Sequence, residues 1–84
     1  MLLGFEHVGM TVSDMDRAVA FYCDLLGLKL VLRKPVDRGE IAFLDTGSGM
    51  LEVFAPLAST VDRFRDVPLH EAGLRHITFA FSEI

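Results

Sequence analysis

Residues 4–15 read GFEHVGMTVSDM, and this stretch decides the fold because it joins a strand pattern to the start of a helix. Its apolar residues alternate with small or polar ones, which is the period of two typical of a β-strand. These alternating residues are Val8, Met10 and Val12. Ser13 follows as a helix N-cap, with acids in the first turn where they suit the positive end of the helix dipole. The stretch therefore predicts a strand that runs directly into a helix.

The same pattern returns near the other end of the sequence. Residues 73–84 read GLRHITFAFSEI, at a constant offset of 69 residues from residues 4–15. Both copies place a Gly three residues before a His and carry Ser and an acid after the strand pattern. The echo indicates a duplicated module in which His7 and His76 hold equivalent positions. The second copy is expected to be truncated after its first strand.

The residues that follow the first copy complete one mixed module. The helix is expected to bury a stripe at helical spacing, and Gly27 is placed to end it. The predicted stripe consists of Met15, Ala18, Val19, Tyr22, Leu25 and Leu26. Three further strands and two turns are predicted: strands at 28–35, 40–45 and 50–55, and hairpin turns at 37–39 and 46–49. The predicted fold class is therefore α+β, a βαβββ module over residues 1–55.

The remaining residues are expected to depend on a second chain. Residues 56–73 are predicted as a crossover linker, and residues 74–84 as the first strand of an incomplete second module. That strand carries three large apolar side chains, Ile77, Phe79 and Phe81. Left in water, each would forgo about 1.5 to 3 kcal/mol of burial free energy. We therefore expect another subunit, in a paired or swapped homodimer, or a further part of the protein to cover them.

The composition predicts a small globular domain that works on small molecules. The chain has 84 residues, of which 51% are hydrophobic and 24% charged. Its net charge is −4 and its eight Lys and Arg residues are scattered, which argues against a nucleic-acid partner. No apolar run approaches the ~20 residues of a membrane helix. The single cysteine, Cys23, allows no internal disulfide, so we expect a cytoplasmic protein without a membrane partner.

Three residues are candidate metal ligands: His7, Glu52 and His76. The two histidines lie on equivalent strands, and Glu52 interrupts residues 50–54, an apolar run that predicts a buried strand. A buried carboxylate costs several kcal/mol unless a cation compensates it. Two imidazoles and one carboxylate could therefore bind one divalent ion. The spacing also allows each His to bind a backbone carbonyl and Glu52 to pair with an arginine such as Arg33.

Other candidate residues are predicted to be structural or solvated. Cys23 has no His or basic neighbour in the local sequence that would lower its pKa. His70 lies in the polar linker and is predicted to be solvated. Arg33 and Arg38, near the first hairpin, could hold a substrate carboxylate or phosphate. Residues 47–49 are predicted as a hairpin turn, since no helix follows them to form a phosphate cradle.

Several separate motifs recur in an order known from one superfamily. They are His7 to Ala18, Phe21-Tyr22, Leu26 to Leu28, Leu51 to Phe54 and Gly73 to Phe79. In this order they resemble the vicinal oxygen chelate superfamily, which includes glyoxalase I, methylmalonyl-CoA epimerase, extradiol dioxygenases and bleomycin-resistance proteins. The resemblance implies two βαβββ modules that form a cupped sheet around a metal ion. By position, it implies His7 and Glu52 as first-strand and fourth-strand ligands, and His76 as the first-strand ligand of the second module.

The resemblance also implies a fourth ligand, a carboxylate on the last strand of the second module. No counterpart of that carboxylate is present in these 84 residues. We hypothesise that two copies pair as the modules do, so that His7 and Glu52 of each chain supply two imidazoles and two carboxylates. His76 would then reinforce the seam or displace its equivalent. The implied cofactor is a divalent ion, one of Zn, Ni, Mn, Fe or Co.

The function implied by the resemblance is that of a lyase or isomerase acting on a small, oxygen-rich substrate. The metal ion would stabilise an enolate, and Glu52 or its copy in the partner chain would move the proton alpha to a carbonyl. Glu52 favours this activity over that of an extradiol dioxygenase. A metal-free small-molecule binding protein, for example for an antibiotic, and an inactive truncated fragment are the alternatives. Sequence alone leaves open whether the chain is an enzyme.

Overall fold

A computed structural model describes residues 1–57, 67–74 and 76–82 and has the predicted βαβββ order. The elements are β1 at His7–Thr11, α1 at Met15–Val19 with a π-helical segment at Ala20–Leu25, β2 at Lys29–Val36, β3 at Gly39–Asp45 and β4 at Met50–Pro56. The four strands form one sheet in the order β1-β4-β3-β2. β1 runs parallel to β4, and the other neighbours are antiparallel. The α+β class is therefore confirmed.

The helix begins one residue later than the sequence predicts. Asp14, not Ser13, is the N-cap residue, because its carboxylate accepts a hydrogen bond from the backbone N–H of Arg17 at 3.1 Å. Asp and Ser serve about equally well at this position, since either side chain reaches the free N–H groups of the first turn. Asp16 lies in the first turn, as predicted.

The second half of the helix widens into a π-helix, which changes the face that its last residues present. The backbone N–H of Leu26 donates to the carbonyl of Phe21, five residues earlier, at 3.1 Å. The wider turn takes up an extra residue and so shifts the buried stripe. Leu25, which was expected in the stripe, is 71% exposed, whereas Leu26 is half-buried. Gly27 ends the helix at a φ of 89°, the left-handed conformation expected of it.

One face of the sheet packs against the helix and forms the core. Alternate side chains of β3 and β4 are buried there against Met15 and Ala18. These buried sheet residues are Ala42, Leu44, Leu51, Val53 and Ala55. The core is small, because β2 is exposed along most of its length. Within the described ranges, no helix is long and apolar enough to cross a membrane.

The opposite face of the sheet, here called the open face, lies away from the helix. The parallel register of β1 with β4 places Gly9 beside Glu52, and the antiparallel register of β4 with β3 places Glu52 beside Phe43. Side chains alternate between the two faces of a sheet, so residues two apart on each strand share this face. The open face includes His7, Gly9, Thr11, Leu32, Lys34, Ile41, Phe43, Asp45, Met50, Glu52 and Phe54.

Among the described residues of the strand predicted at 74–84, namely 74 and 76–82, none joins the sheet of the single subunit. Residues 76–82 run as irregular backbone on the helix side of β1, where the rings of Phe79 and Tyr22 meet at 6.4 Å. Two cavities of about 520 and 540 Å³ are lined both by β1 and by this segment. Ile77 and Phe81 are 45% and 55% exposed, so both still present apolar surface to water.

Part of the predicted organisation falls outside the described residues. Residues 58–66 belong to the predicted linker, and residues 75 and 83–84 to the predicted last strand. The boundaries at 1–55, 56–73 and 74–84 therefore stay predictions.

Candidate functional site

His7 opens β1 on the open face of the sheet, and two side chains hold its ring. Its Nδ1 lies 2.8 Å from Oε1 of Glu6, within hydrogen-bond distance. On the other side, the ring meets Phe43 of β3 edge to face, with 5.9 Å between the ring centroids and 81° between the planes. The imidazole is 39% exposed, so it is held in place and is still reachable from solvent.

Glu52 lies near the middle of β4, on the same face as His7. Its neighbours along the strand, Leu51 and Val53, point into the core on the other side, at 1% and 0% exposure. Glu52 itself is half-buried, so it is more accessible than the core residues beside it on the strand. The sequence of residues 50–54 does not reveal which side chains face the core, because Met50 and Phe54 on the open face are as apolar as the core residues. On the open face, Glu52 therefore has the large apolar residues Phe43, Met50 and Phe54 as neighbours.

Gly9 makes room for the carboxylate of Glu52. A Cβ atom placed on Gly9 would lie 3.3 Å from Oε1 of Glu52, closer than most side chains approach. The glutamate side chain therefore extends over the β1 backbone at a residue that has no side chain of its own. This orientation carries the carboxylate toward the strand that holds His7.

The register of β1 and β4 sets the separation of the two candidate ligands. His7 is paired with Met50, and Glu52 lies two residues further along β4 on the same face. Strand spacings of ~4.8 Å across and ~3.3 Å per residue give about 8 Å between the Cα atoms. An imidazole and a glutamate side chain can together span that distance to a shared ion. The structure thus brings two of the three predicted ligands to one face.

His76 lies on the other side of β1 in the single chain. It lines the cavity of about 540 Å³ together with Met10, Tyr22 and Phe79, whereas His7 is on the open face. Within residues 1–57, 67–74 and 76–82, no group of three His, Cys, Asp or Glu side chains lies close enough to hold a metal ion. One subunit therefore brings His7 and Glu52 together, and it does not bring His76 to them.

Arg33 is engaged on the helix side of the sheet. Its guanidinium donates to both carboxylate oxygens of Glu40, at 3.1 and 3.0 Å, and to Asp16 of the helix at 2.7 Å. The hydrogen bonds to Glu40 and then to Asp16 raise the pKa of Arg33 above its ordinary value. Because Glu52 projects from the opposite face, the alternative in which Arg33 neutralises Glu52 is wrong. Arg33 ties the helix to the sheet.

The weaker candidates occupy ordinary structural positions. Burial, and next the charge of Asp24, raise the pKa of the Cys23 thiol, so little thiolate is present at neutral pH. His70 is exposed, as expected. Arg38 occupies the first hairpin turn with a φ of 66°. In the second turn, the N–H of Thr46 donates to the carbonyl of Gly49 at 2.9 Å, as expected of a hairpin.

Sequence reasoning missed two residues that shape this site, Glu6 and Gly9. Adjacent residues of a strand point to opposite faces, so a contact between Glu6 and His7 is not expected from the strand pattern. The contact is possible because β1 begins only at His7, and Glu6 precedes the regular strand. For Gly9, the available signal was a glycine inside a strand, which often marks a close approach of another group.

Comparison with known families gives one match that covers nearly the whole chain. A sequence model of the Glyoxalase/Bleomycin resistance protein/Dioxygenase superfamily matches residues 4–84. The matched range includes the whole sheet and all three candidate ligands.

Two curated proteins are similar over different lengths. A probable lactoylglutathione lyase from Synechocystis is 37% identical over 43 residues, which are 51% of this chain and 33% of that protein. The uncharacterized protein YqjC from Bacillus subtilis is 32% identical over 82 residues, which are 88% of this chain and 54% of that protein. The chain therefore spans between one third and about half of the length of these relatives.

Solved structures share the fold. Methylmalonyl-CoA epimerase from Mycobacterium tuberculosis matches 63% of this chain and 38% of its own, with a TM-score of 0.57 and 33% identity. The protein SMU.1112c matches 90% of this chain and 62% of its own, with a TM-score of 0.68 and 25% identity. Both similarities are consistent with the βαβββ arrangement described above.

Proposed function

The chain belongs to the Glyoxalase/Bleomycin resistance protein/Dioxygenase superfamily, and on that premise we propose that it is a metal-dependent lyase or isomerase for a small, oxygen-rich substrate. His7 and Glu52 are the proposed ligands from one subunit. The observation that carries this proposal is the extension of the Glu52 carboxylate over Gly9, on the face that holds His7. We place the activity in the cytoplasm, because the single cysteine suits a reducing compartment.

The residues present fit a divalent ion. Imidazole nitrogen and carboxylate oxygen are both ligands of Zn, Ni, Mn, Fe and Co. A Cβ atom would fill the space above Gly9. Because that space is free, the Glu52 carboxylate can extend over β1, the strand that also carries His7. A set of one His and one Glu is half of a four-ligand site, so a second set has to complete it.

A second copy of the chain is the proposed source of the remaining ligands. If two open faces meet around one ion, His7 and Glu52 of each chain supply two imidazoles and two carboxylates. The other arrangement uses His76, which would have to move from the helix side of β1 to the open face of its own chain or of the partner. The first arrangement needs no such movement and is the one we propose.

In the proposed reaction, Glu52 of one chain or its copy in the partner removes a proton from a carbon next to a carbonyl group and returns it after rearrangement, while the other Glu52 stays a ligand. His7 holds its ring nitrogen toward the shared site, supported by Glu6 and Phe43. The divalent ion, when bound, supplies positive charge that stabilises an enolate of the substrate. The half-buried setting of Glu52 limits the access of water to the carboxylate.

The names of two relatives support this type of reaction. One is called a probable lactoylglutathione lyase and the other a methylmalonyl-CoA epimerase. Inverting the carbon between two carbonyl groups of a malonyl thioester requires a proton to leave and return at that carbon. We propose the same chemical step here, for a substrate that the loops around the open face would select.

The metal content of the purified protein tests the proposal. We expect the full chain to bind Zn²⁺ and expect His7→Ala and Glu52→Gln to lose at least about 90% of it, since each variant removes a ligand from both halves of the site. His70→Ala, which removes an exposed histidine elsewhere, is the matched control and should bind normally. Undiminished Zn²⁺ in His7→Ala would contradict the proposal. His76→Ala distinguishes the two arrangements, because only the second one predicts that this variant loses the ion.

A metal-free small-molecule binding protein is the second candidate function. The cavity of about 540 Å³ beside β1 favours it, because its lining is mostly apolar, with Phe21, Tyr22 and Phe79 among its walls. This candidate predicts a chain that binds no divalent ion and whose ligand affinity is unchanged in His7→Ala. The metal measurement above therefore separates the two functions.

A further inference from the structure

The backbone of Glu6, whose side chain contacts His7, is held in place by a hydrogen bond to β4. The carbonyl oxygen of Glu6 accepts a hydrogen bond from the N–H of Met50 at 2.8 Å, so the residue is anchored to the start of β4. Gly49 also lies close to this carbonyl oxygen, since a Cβ atom on Gly49 would be 3.2 Å from it. From this anchor, Oε1 of Glu6 reaches Nδ1 of His7 at 2.8 Å.

This contact has one consequence for the histidine ring. An ionised carboxylate can only accept a hydrogen bond, so Nδ1 of His7 must carry the hydrogen. In a neutral imidazole the other nitrogen, Nε2, then keeps its lone pair. In water a free histidine prefers the opposite tautomer, with the hydrogen on Nε2.

We propose that Glu6 is a positioning residue for His7: it fixes the Nδ1–H tautomer and the ring orientation, so that Nε2 is presented as a ligand to a divalent cation. Histidines that bind metals commonly donate their other N–H to a carboxylate, which orients the ring and makes it more basic. The edge contact with Phe43 restrains the same ring from β3. This inference rests on the proposed role of His7, and it adds a residue that does not touch the ion.

The sequence repeat provides an internal control. At the offset of 69 residues, the position of Glu6 corresponds to Arg75, which precedes His76. An arginine side chain has no hydrogen-bond acceptor and cannot select the Nδ1–H tautomer of a neighbouring histidine. His7 and His76 therefore hold equivalent positions in the repeat, but only His7 follows a residue whose side chain can accept a hydrogen bond from Nδ1.

Long-range ¹H–¹⁵N spectra of the full chain report the tautomer of each histidine without any metal. At about pH 8, where an ordinary imidazole is neutral, we expect His7 to be mainly Nδ1–H in the wild type and to shift toward Nε2–H in Glu6→Ala. Glu6→Gln keeps an acceptor oxygen and should restore part of the Nδ1–H population. His76 should be unchanged in both variants, and Asp37→Ala, which removes an exposed carboxylate from the first hairpin, should leave His7 unchanged.

Titration with Zn²⁺ gives the second measurement. We expect Glu6→Ala to weaken Zn²⁺ binding by about tenfold, the lower end of the usual effect of such partners, because Glu6 is 78% exposed. An unchanged His7 tautomer in Glu6→Ala would overturn the inference, and so would unchanged Zn²⁺ affinity in a variant whose tautomer has shifted. Failure of the proposed function looks different, because His7→Ala would then bind Zn²⁺ as the wild type does while the tautomer of His7 still responds to Glu6.

Discussion

At the scale of single residues, the candidate site depends on a glycine as much as on the groups that would bind a metal. Gly9 lies two residues after His7 on β1 and is paired with Glu52 on β4. The carboxylate of Glu52 extends over it. Glycine in a strand interior usually costs stability, because it loses more chain entropy on folding than other residues do. At this position the missing side chain leaves space for the carboxylate of Glu52.

Gly9→Ala should separate stability from metal binding. The new Cβ atom would lie 3.3 Å from Oε1 of Glu52 and push the carboxylate away from β1. We expect the free energy of unfolding to stay constant or to rise by up to about 1 kcal/mol, because alanine restricts the unfolded chain more than glycine does. Zn²⁺ affinity should fall severalfold.

Chemical denaturation and Zn²⁺ titration of the same samples check both parts of this prediction. Full Zn²⁺ affinity in a folded Gly9→Ala protein would show that the carboxylate does not need the space above residue 9. A large loss of stability would show instead that the backbone, and not Glu52, gives way to the new methyl group.

At the scale of secondary structure, the π-helical segment leaves Leu25 exposed, in contrast to a leucine of the sheet core. Leu51 on β4 is 1% exposed, whereas Leu25 on the helix is 71% exposed despite its place in the expected stripe. Leu51→Ala should destabilise the fold by about 2 to 5 kcal/mol, and Leu25→Ala by less than about 0.5 kcal/mol. Thermal unfolding of the two variants provides the comparison. Equal losses would mean that the helix keeps a regular 3.6-residue stripe to its end.

The ion pairs of Arg33 join three elements, and their contribution should depend on salt. Arg33→Ala removes the contacts from β2 to Glu40 on β3 and to Asp16 on the helix. These groups are partly or largely exposed, so we expect a loss of about 0.5 to 1 kcal/mol at low ionic strength. In about 1 M salt the difference from the wild type should shrink, because exposed charges are screened. Lys34→Ala, next along β2 and of the same charge, is the control and should show a smaller loss.

Local patterns in the sequence predicted the positions of the strands well. They predicted less well which side chains of the strands and the helix face the core. Each predicted strand of the sheet lies within one residue or two of its position in the structure, because turn residues such as Gly27 and Asp37 mark the ends. The predicted buried stripe of the helix is wrong at Leu25, because no local sequence pattern marks the start of a π-helix. The face on which Glu52 lies could not be predicted for a related reason, because both faces of β4 are apolar and the parallel partner is far away in sequence.

At the scale of the whole molecule, the proposed sharing of ligands between two open faces predicts a homodimer. Sedimentation should show a particle of about twice the 9.3 kDa chain mass, with close to one bound Zn²⁺ per two chains. Phe54→Ser should weaken the pair, because Phe54 lies on the open face that the second chain is proposed to cover. Leu69→Ser, at a side chain that is 92% exposed and outside both cavities, is the matched control. A particle of single-chain mass at every concentration would contradict this expectation.

The pairing of β1 with β4 has a consequence for how the protein is made. These two strands are neighbours in the sheet, although they are the first and the last strands of the module. A polypeptide emerging from the ribosome exposes His7 well before Glu52 has been synthesised, and the ladder between them closes only when the whole module is present. Contacts between distant parts of a chain form late, because the loop between them must be closed first. A nascent chain therefore brings His7 and Glu52, the two proposed ligands, to one face only once its sheet is finished.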